Sequence, residues 1–438
     1  MAGNGSAKAP LPARLLLLGI ALTALFSALM VCAYLIPDSL VRDNVIASSR
    51  VIFAEGPWPQ LTQDDLTTQR DNWTEVYVLG MAVHQDGDPL RSAFLNPYYG
   101  SEDRPSSMPL ESLESWIERG ASAPANQSYG RYWQGYLVMI RPLLVLLTLK
   151  EIYLVMAVIL VTLLVLSCIG LTRRVGWPYA AALVLSFAMV DGWMLPLSTK
   201  FWFSFAVALV GLCIAVRMEA DELLGERACI LFFVLGAVTV FLDYLSTPLV
   251  SLGLPLAAAA VCARDELEDL GAAGALRWFG HIVASWLAGY LMLGLANWLI
   301  YICVSPDGAE AVEAIRIRLD NWVGPARFYE GFNRFSGVVT SYGVFSHGLG
   351  GRVAVILHAL ALAACALPRG RYRPVRAVLA AASLIPIPWQ IVLATSVAWH
   401  AWTVYRVFCL SVFCLACGLI LTSDFGRGKP RHAETALI

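Results

Sequence analysis

Asp71 and Glu75 stand four residues apart in the stretch Arg70-Asp71-Asn72-Trp73-Thr74-Glu75, so on a helix they share one face. An acid beside an aromatic at the mouth of a membrane cavity suits a general base that takes a proton from a hydroxyl. The plainer role for the same residues is structural, with Asp71 as the N-cap of a helix and Glu75 as a solvated neighbour. Asp43 is the second candidate base.

Three other clusters carry chemistry. Arg131-Tyr132-Trp133-Gln134-Gly135-Tyr136 leads into Arg141. Arginine forks match phosphate oxygens and aromatic faces receive sugars or cations, which makes Arg131, Trp133 and Arg141 candidate substrate ligands. Asp243 and Tyr244 sit at a hairpin between two apolar runs. Trp399-His400-Ala401-Trp402-Thr403-Val404-Tyr405-Arg406 is a dense polar and aromatic patch, in which His400, Tyr405 and Arg406 are suited to a phosphate. Glu75 completes the candidate binding set. The alternatives are an aromatic belt with snorkelling arginines and a helix-end aspartate. Asp191 and Lys200 are close enough in sequence for a buried ion pair, and His281 and His358 read as packing.

These residues are set among membrane elements. Hydrophobic residues make up 58% of the 438 positions and charged residues only 14%, well below the ~25% of a soluble protein. Mean hydropathy is +0.64. Several apolar runs approach or exceed the ~20 residues a helix needs to cross a bilayer. The chain reads as an integral polytopic membrane protein. The net charge of -1 gives no bias toward nucleic acid. All ten cysteines lie in apolar runs or at their ends, and Cys414-Leu415-Ala416-Cys417 has no second pair to complete a zinc site. No P-loop, GxSxG, HExxH or Rossmann pattern is present. No motif demands a cofactor or a metal site. A divalent cation is the one addition that phosphate chemistry would allow.

Ten runs can cross, at 14–36, 152–172, 179–197, 201–217, 228–245, 246–263, 278–303, 352–367, 377–396 and 405–422. With both termini in the cytoplasm, all the short basic loops fall on the inner side, as the distribution of lysine and arginine in membrane proteins demands. Residues 135–149 are then a re-entrant or interfacial helix, broken at Arg141-Pro142. Residues 37–134 form a large external segment with 14 acids, 7 arginines and no lysine. Its patterning predicts an amphipathic surface helix over 39–54, a helix over 73–84 entered through Asp71 or Asn72 as its cap, and another amphipathic helix over 110–119, with a turn at Asn96 to Gly100. The expected fold is all-α: an N-terminal transmembrane helix (1–36), an extracytoplasmic loop with amphipathic and re-entrant helices (37–150), a transmembrane bundle (151–425) and a cytoplasmic tail (426–438).

This layout resembles the GT-C superfamily of polytopic glycosyltransferases. There, a first helix followed at once by a large external loop accompanies transfer of a sugar from a polyprenyl-phosphate donor. The resemblance is one of architecture over the whole chain. It implies a catalytic aspartate in the loop, here Asp71 or Asp43, and basic phosphate ligands, here Arg131, Arg141, His400 and Arg406. Asp43-Asn44 stands where that superfamily has an acidic pair, and Asp64-Asp65 comes later in the loop. The implied partners are a polyprenyl-phosphate-linked sugar, a glycan or lipid acceptor and a bacterial plasma membrane. The other function classes are a polysaccharide polymerase or ligase and a non-enzymatic lipid or solute transporter.

Overall fold

The computed structural model describes residues 9–101, 108–323, 334–347, 350–366 and 370–422. The expected cytoplasmic tail lies outside these residues. The fold is helical throughout, apart from 3-10 turns and a two-stranded antiparallel pairing of Pro97–Tyr98 with Gln127–Ser128. That pairing occupies part of the segment expected to be a turn. Asn96 makes the turn itself by adopting the left-handed conformation (φ 47°), which asparagine tolerates better than most residues.

All ten hydrophobic runs form helix. Among the described residues, five helical stretches are long and apolar enough to cross a membrane by length and composition: Leu11–Tyr34, Leu149–Arg174, Gly271–Val304, Arg373–Val392 and Ala394–Thr422. Four further apolar helices are shorter: Trp177–Ala188, Thr199–Ala215, Val250–Cys262 and Gly351–Ala366. The run expected over 179–197 is split. Its helix stops at Ala188, Asp191 turns the backbone left-handed (φ 53°), and a 3-10 turn with Pro196 inside it follows. The last span starts earlier than expected, because 394–404 is helical as well. It is bent at His400, whose backbone (φ -120°, ψ 24°) leaves the helical range.

Helices form where the patterning of residues 37–134 predicts them: Asp38–Glu55, Asn72–Ala82, which is largely buried, and Pro109–Glu118. Asp38–Glu55 buries Val41, Val45 and Ile52 along one stripe. From that stripe, Ser48 Oγ accepts the Leu149 N–H at 2.9 Å, and Asn44 Nδ2 donates to the Leu144 carbonyl at 2.9 Å. The surface helix is thereby fastened to the start of a membrane helix.

Between them lies Leu137–Leu144, only 8 residues long with Pro142 inside it. At 1.5 Å per residue it spans roughly 12 Å, too little to cross a bilayer core of roughly 30 Å. Its Arg141 is fully buried. Nε donates to the Ala33 carbonyl (3.0 Å), Nη1 to Ala82 (2.6 Å), and Nη2 to Ile36 (2.7 Å) and the Asp38 carboxylate (3.2 Å). These are carbonyls at helix ends, where the backbone lacks intrahelical donors. Arg141 therefore joins three chain segments. All its nitrogens are engaged, which corrects the expectation that it holds a phosphate.

Two long helices, Glu226–Leu242 and Gly271–Val304, run against each other along their lengths. Their backbones touch at two glycines. A Cβ on Gly236 would lie 2.0 Å from the Trp286 carbonyl oxygen, and one on Gly289 would lie 2.0 Å from that of Phe233. Small residues allow this approach where packing, rather than hydrophobicity, holds helices together. Gly236→Ala and Gly289→Ala should each lower the melting temperature in detergent, at a cost of about 1–3 kcal/mol. Gly280→Ala, on the same helix with nothing within 4 Å of its Cβ, should not. Equal melting temperatures for all three variants would refute this packing.

Candidate functional site

The two carboxylates four residues apart do share a face, and that face meets the beginning of the helix Thr199–Ala215. Asp71 caps its own helix: Oδ1 accepts from the Thr74 N–H (3.0 Å) and Oδ2 from the Thr74 hydroxyl (2.8 Å). Oδ2 also accepts from Lys200 Nζ at 2.6 Å. Asp71 is 3% exposed and Lys200 7%. Burial would raise the pKa of Asp71, but the ammonium and the Thr74 donors outweigh it and hold the carboxylate below its usual range. Lys200 thus pairs with Asp71 and not with Asp191, as the sequence suggested. Asp191 instead accepts from the Tyr405 hydroxyl (2.8 Å) and faces His347 Nε2 (3.4 Å).

Among the described residues, no cation pairs with Glu75. Oε1 accepts from the Thr199 N–H (2.6 Å) and the Ser198 hydroxyl (3.0 Å), while Oε2 accepts from the Thr199 hydroxyl (2.9 Å). The acid lies at a helix N-terminus, where free N–H groups and the helix dipole favour negative charge. At 1% exposure, desolvation prevails over those hydrogen bonds and raises its pKa to about 7.

The Thr199 hydroxyl also contacts the Tyr244 hydroxyl at 3.1 Å. Tyr244 stacks on Tyr136, with ring centroids 4.3 Å apart. That stack depends on Gly135, whose N–H donates to the Phe241 carbonyl at 2.9 Å. A Cβ there would lie 2.4 Å from the same oxygen, so only glycine allows the segment this close to the 241–245 turn. In that turn Ser204 donates to Asp243 Oδ1. Asp243 Oδ2 is buried with no hydrogen-bond partner among the described residues.

These elements enclose a cavity of about 180 Å³. Lys200, Arg318 and His400 converge on it, Asp243 contributes the carboxylate, and Tyr77, Tyr129, Tyr132, Tyr136 and Tyr244 supply an aromatic wall. Arg318, from the helix Gly308–Val323, donates through Nε to the Tyr132 hydroxyl and lies over the Tyr132 and Trp322 rings at 5.7 and 5.5 Å. The bend at His400 places that ring in the wall. Two basic side chains, an imidazole and many phenols suit an oxyanion attached to a sugar-like or aromatic-stacking body.

Of the residues singled out from the sequence, Asp243, Tyr244 and His400 line the cavity. Asp71 and Glu75 stand one layer behind, reaching it through Lys200 and Tyr244. The rest are elsewhere. Asp43 is exposed on Asp38–Glu55. Arg131 lies 4.0 Å over the Tyr129 ring and, with Trp133, borders a separate apolar cleft of about 130 Å³. The Trp133 indole donates to the Leu293 carbonyl at 2.8 Å. Arg406, fully buried, donates to the carbonyls of Trp402 (2.9 Å) and Thr67 (2.8 Å) and covers the Phe201 ring at 4.3 Å. Both its terminal nitrogens donate to the backbone and Arg406 does not line the cavity, so the expected phosphate contact is corrected to a structural one. Tyr405, turned toward Asp191, is corrected likewise. Lys200 and Arg318 stood among the membrane-edge charges of the sequence but outside its candidate binding set, and Thr199 was missed. A lone lysine at the end of an apolar run was the available signal for Lys200. Among the described residues, no group of three or more His, Cys, Asp or Glu is placed to hold a metal ion.

Two expectations follow from the buried acids. Lys200→Met leaves Asp71 without its cation and should cost about 3–5 kcal/mol, whereas Lys200→Met combined with Asp71→Asn should recover most of that loss. Thermal unfolding in micelles measures both, and a double variant no better than the single one would refute the pairing. For Glu75, the folded pKa of about 7 exceeds the ordinary 4.5. Between those values the folded chain holds a proton that the unfolded chain has lost. Stability should therefore fall as pH rises through this window, by roughly 1–3 kcal/mol. Glu75→Gln should flatten that slope, and an unchanged slope would assign it to another group.

No protein-family model, no curated protein and no solved structure matches this chain.

Proposed function

We propose that this chain is a membrane glycosyltransferase, moving a sugar from a polyprenyl-phosphate donor to a cell-envelope acceptor on the extracytoplasmic side. One observation carries the reading: Lys200, Arg318 and His400 converge on a tyrosine-walled cavity that holds a single lining carboxylate, Asp243. The scheme takes ten crossings with cytoplasmic termini in a bacterial plasma membrane, with the described helices between Asp38 and Glu118 as the lid; the apolar helices that suit a membrane support it.

In this scheme the acceptor hydroxyl attacks the anomeric carbon as the bond from that carbon to the phosphate oxygen breaks. Polyprenyl phosphate leaves with the electron pair, and the hydroxyl proton passes to the Asp243 carboxylate, whose Oδ1 accepts from Ser204. Lys200 and Arg318 stabilise the charge that grows on the departing phosphate. Asp71 takes a different part from the base expected of it. Its oxygens are occupied by Lys200 and Thr74, so it positions Lys200 and acts through it. The tyrosine faces receive the sugar.

Native mass spectrometry of the purified chain should reveal a bound polyprenyl-phosphate lipid. Asp243→Asn should lower sugar transfer from that lipid by about 100-fold or more, at unchanged expression and melting temperature. Asp71→Asn should weaken lipid binding more than it slows the bound complex. Full turnover by Asp243→Asn would remove Asp243 from the base role, and absence of any phosphate-bearing lipid would count against the function itself.

A further inference from the structure

Glu75 is the most completely buried acid near the cavity, yet neither the binding of an anion nor the removal of a proton by Asp243 makes use of it. Its two oxygens are not equivalent. Oε1 accepts from two fixed donors, the Thr199 N–H and the Ser198 hydroxyl. A proton on Glu75 therefore belongs on Oε2, which faces only the Thr199 hydroxyl at 2.9 Å. That hydroxyl has one other partner, the Tyr244 hydroxyl at 3.1 Å, and Tyr244 lines the cavity.

A hydroxyl donates once and accepts from the remaining sides, so the row Glu75–Thr199–Tyr244 has two consistent orientations. With Glu75 ionised, Thr199 donates to Oε2, Tyr244 donates to Thr199, and the phenol presents only its lone pairs to the cavity. With Glu75 protonated, Oε2 donates to Thr199, Thr199 donates to Tyr244, and the phenolic hydrogen is freed toward the cavity, where a bound anion competes for it with the neighbouring Tyr136 hydroxyl.

From this geometry we infer that Glu75 is a positioning residue that sets, through Thr199, whether Tyr244 accepts from or donates to a bound oxyanion. The inference rests on the cavity being an oxyanion site. The ionised form disfavours a phosphate oxygen beside Tyr244 and favours a ligand hydroxyl. The protonated form does the reverse. Burial supports the switch by bringing the acid to a pKa of about 7, where both forms are populated near neutral pH. The other titratable groups acting on this row are Asp71 with its Lys200, Tyr153 beside Arg70, and Tyr136. Asp243, next to Tyr244 in the chain, faces the same cavity, as do Arg318 and His400.

Inorganic sulfate is a suitable probe, because it takes up no proton between pH 6 and pH 8. Its binding to the full chain in dodecyl maltoside micelles can be followed by titration calorimetry. For the wild type, the dissociation constant should rise on the order of tenfold from pH 6 to pH 8, the equivalent of one hydrogen bond to an anion. Thr199→Val, which removes one hydroxyl at nearly constant shape, and Tyr244→Phe should both lose that dependence. Glu75→Gln should bind with the tight constant at both pH values, its amide taking the donor role toward Thr199. A residual slope common to all four proteins belongs to a group outside this row, and the difference between wild type and variants remains the measure.

If Thr199→Val or Tyr244→Phe keeps the whole wild-type slope, Glu75 acts as a bare charge and the switch is wrong. Retention of the slope in Glu75→Gln also overturns it, as does a wild type that binds sulfate equally at both pH values. A wild type that binds no sulfate at either pH removes the oxyanion reading of the cavity and this inference with it.

Discussion

Two carboxylates on one turn of a helix are taken out of water by the start of another helix, and the fold depends on their being satisfied there. A buried acid without partners is costly. Asp71 is held by an ammonium and by its own capping interaction, and Glu75 by the first donors of Thr199–Ala215. These contacts fasten the external segment to the membrane bundle at a fixed register. The tyrosine stack, the Asp243 turn and the bend at His400 are then assembled around the same helix end. The arrangement resembles neither a disordered linker nor a detachable domain. Its polar contacts run into the bundle at Ser198 to Lys200, and Arg141 secures the neighbouring segments.

Much of this was legible in the sequence because periodicity and capping are local. The helix at 72–82 could be read from Asp71 and from the placement of its apolar residues, and the two acids fell on one face by spacing alone. The short helix at 137–144 was legible from Pro142 and the length of its apolar run. Partner choice was not legible, because it depends on distant chain. Lys200 is nine residues from Asp191 and 129 from Asp71, and the latter is its partner. Arg141 and Arg406 have the composition of phosphate ligands, yet helix ends presented bare carbonyls to them first. An arginine's chemistry is visible in a sequence, but the groups that compete for its donors are not.

The same competition separates the charged groups that serve the cavity from those that hold the walls. Arg318 spends one nitrogen on Tyr132 and stacks between aromatic rings, so it keeps donors to offer. Arg141 uses all its nitrogens within the fold. His400 lies in the wall because the helix bends at its own backbone. The site is therefore built where regular structure is interrupted: at a helix start, at a hairpin and at a kink.

The pairing of Lys200 with Asp71 also fixes the electrical character of the empty cavity. Counted formally, Asp71 cancels Lys200 and Asp243 cancels Arg318, so the enclosed space is close to electroneutral. A nearly neutral cavity exerts little long-range pull, and ionic strength in the surrounding solution has little field to screen. Recognition must then come from directed donors at short range. An oxyanion whose oxygens can meet such donors directly, as those of a phosphodiester or a sulfate can, suits this interior.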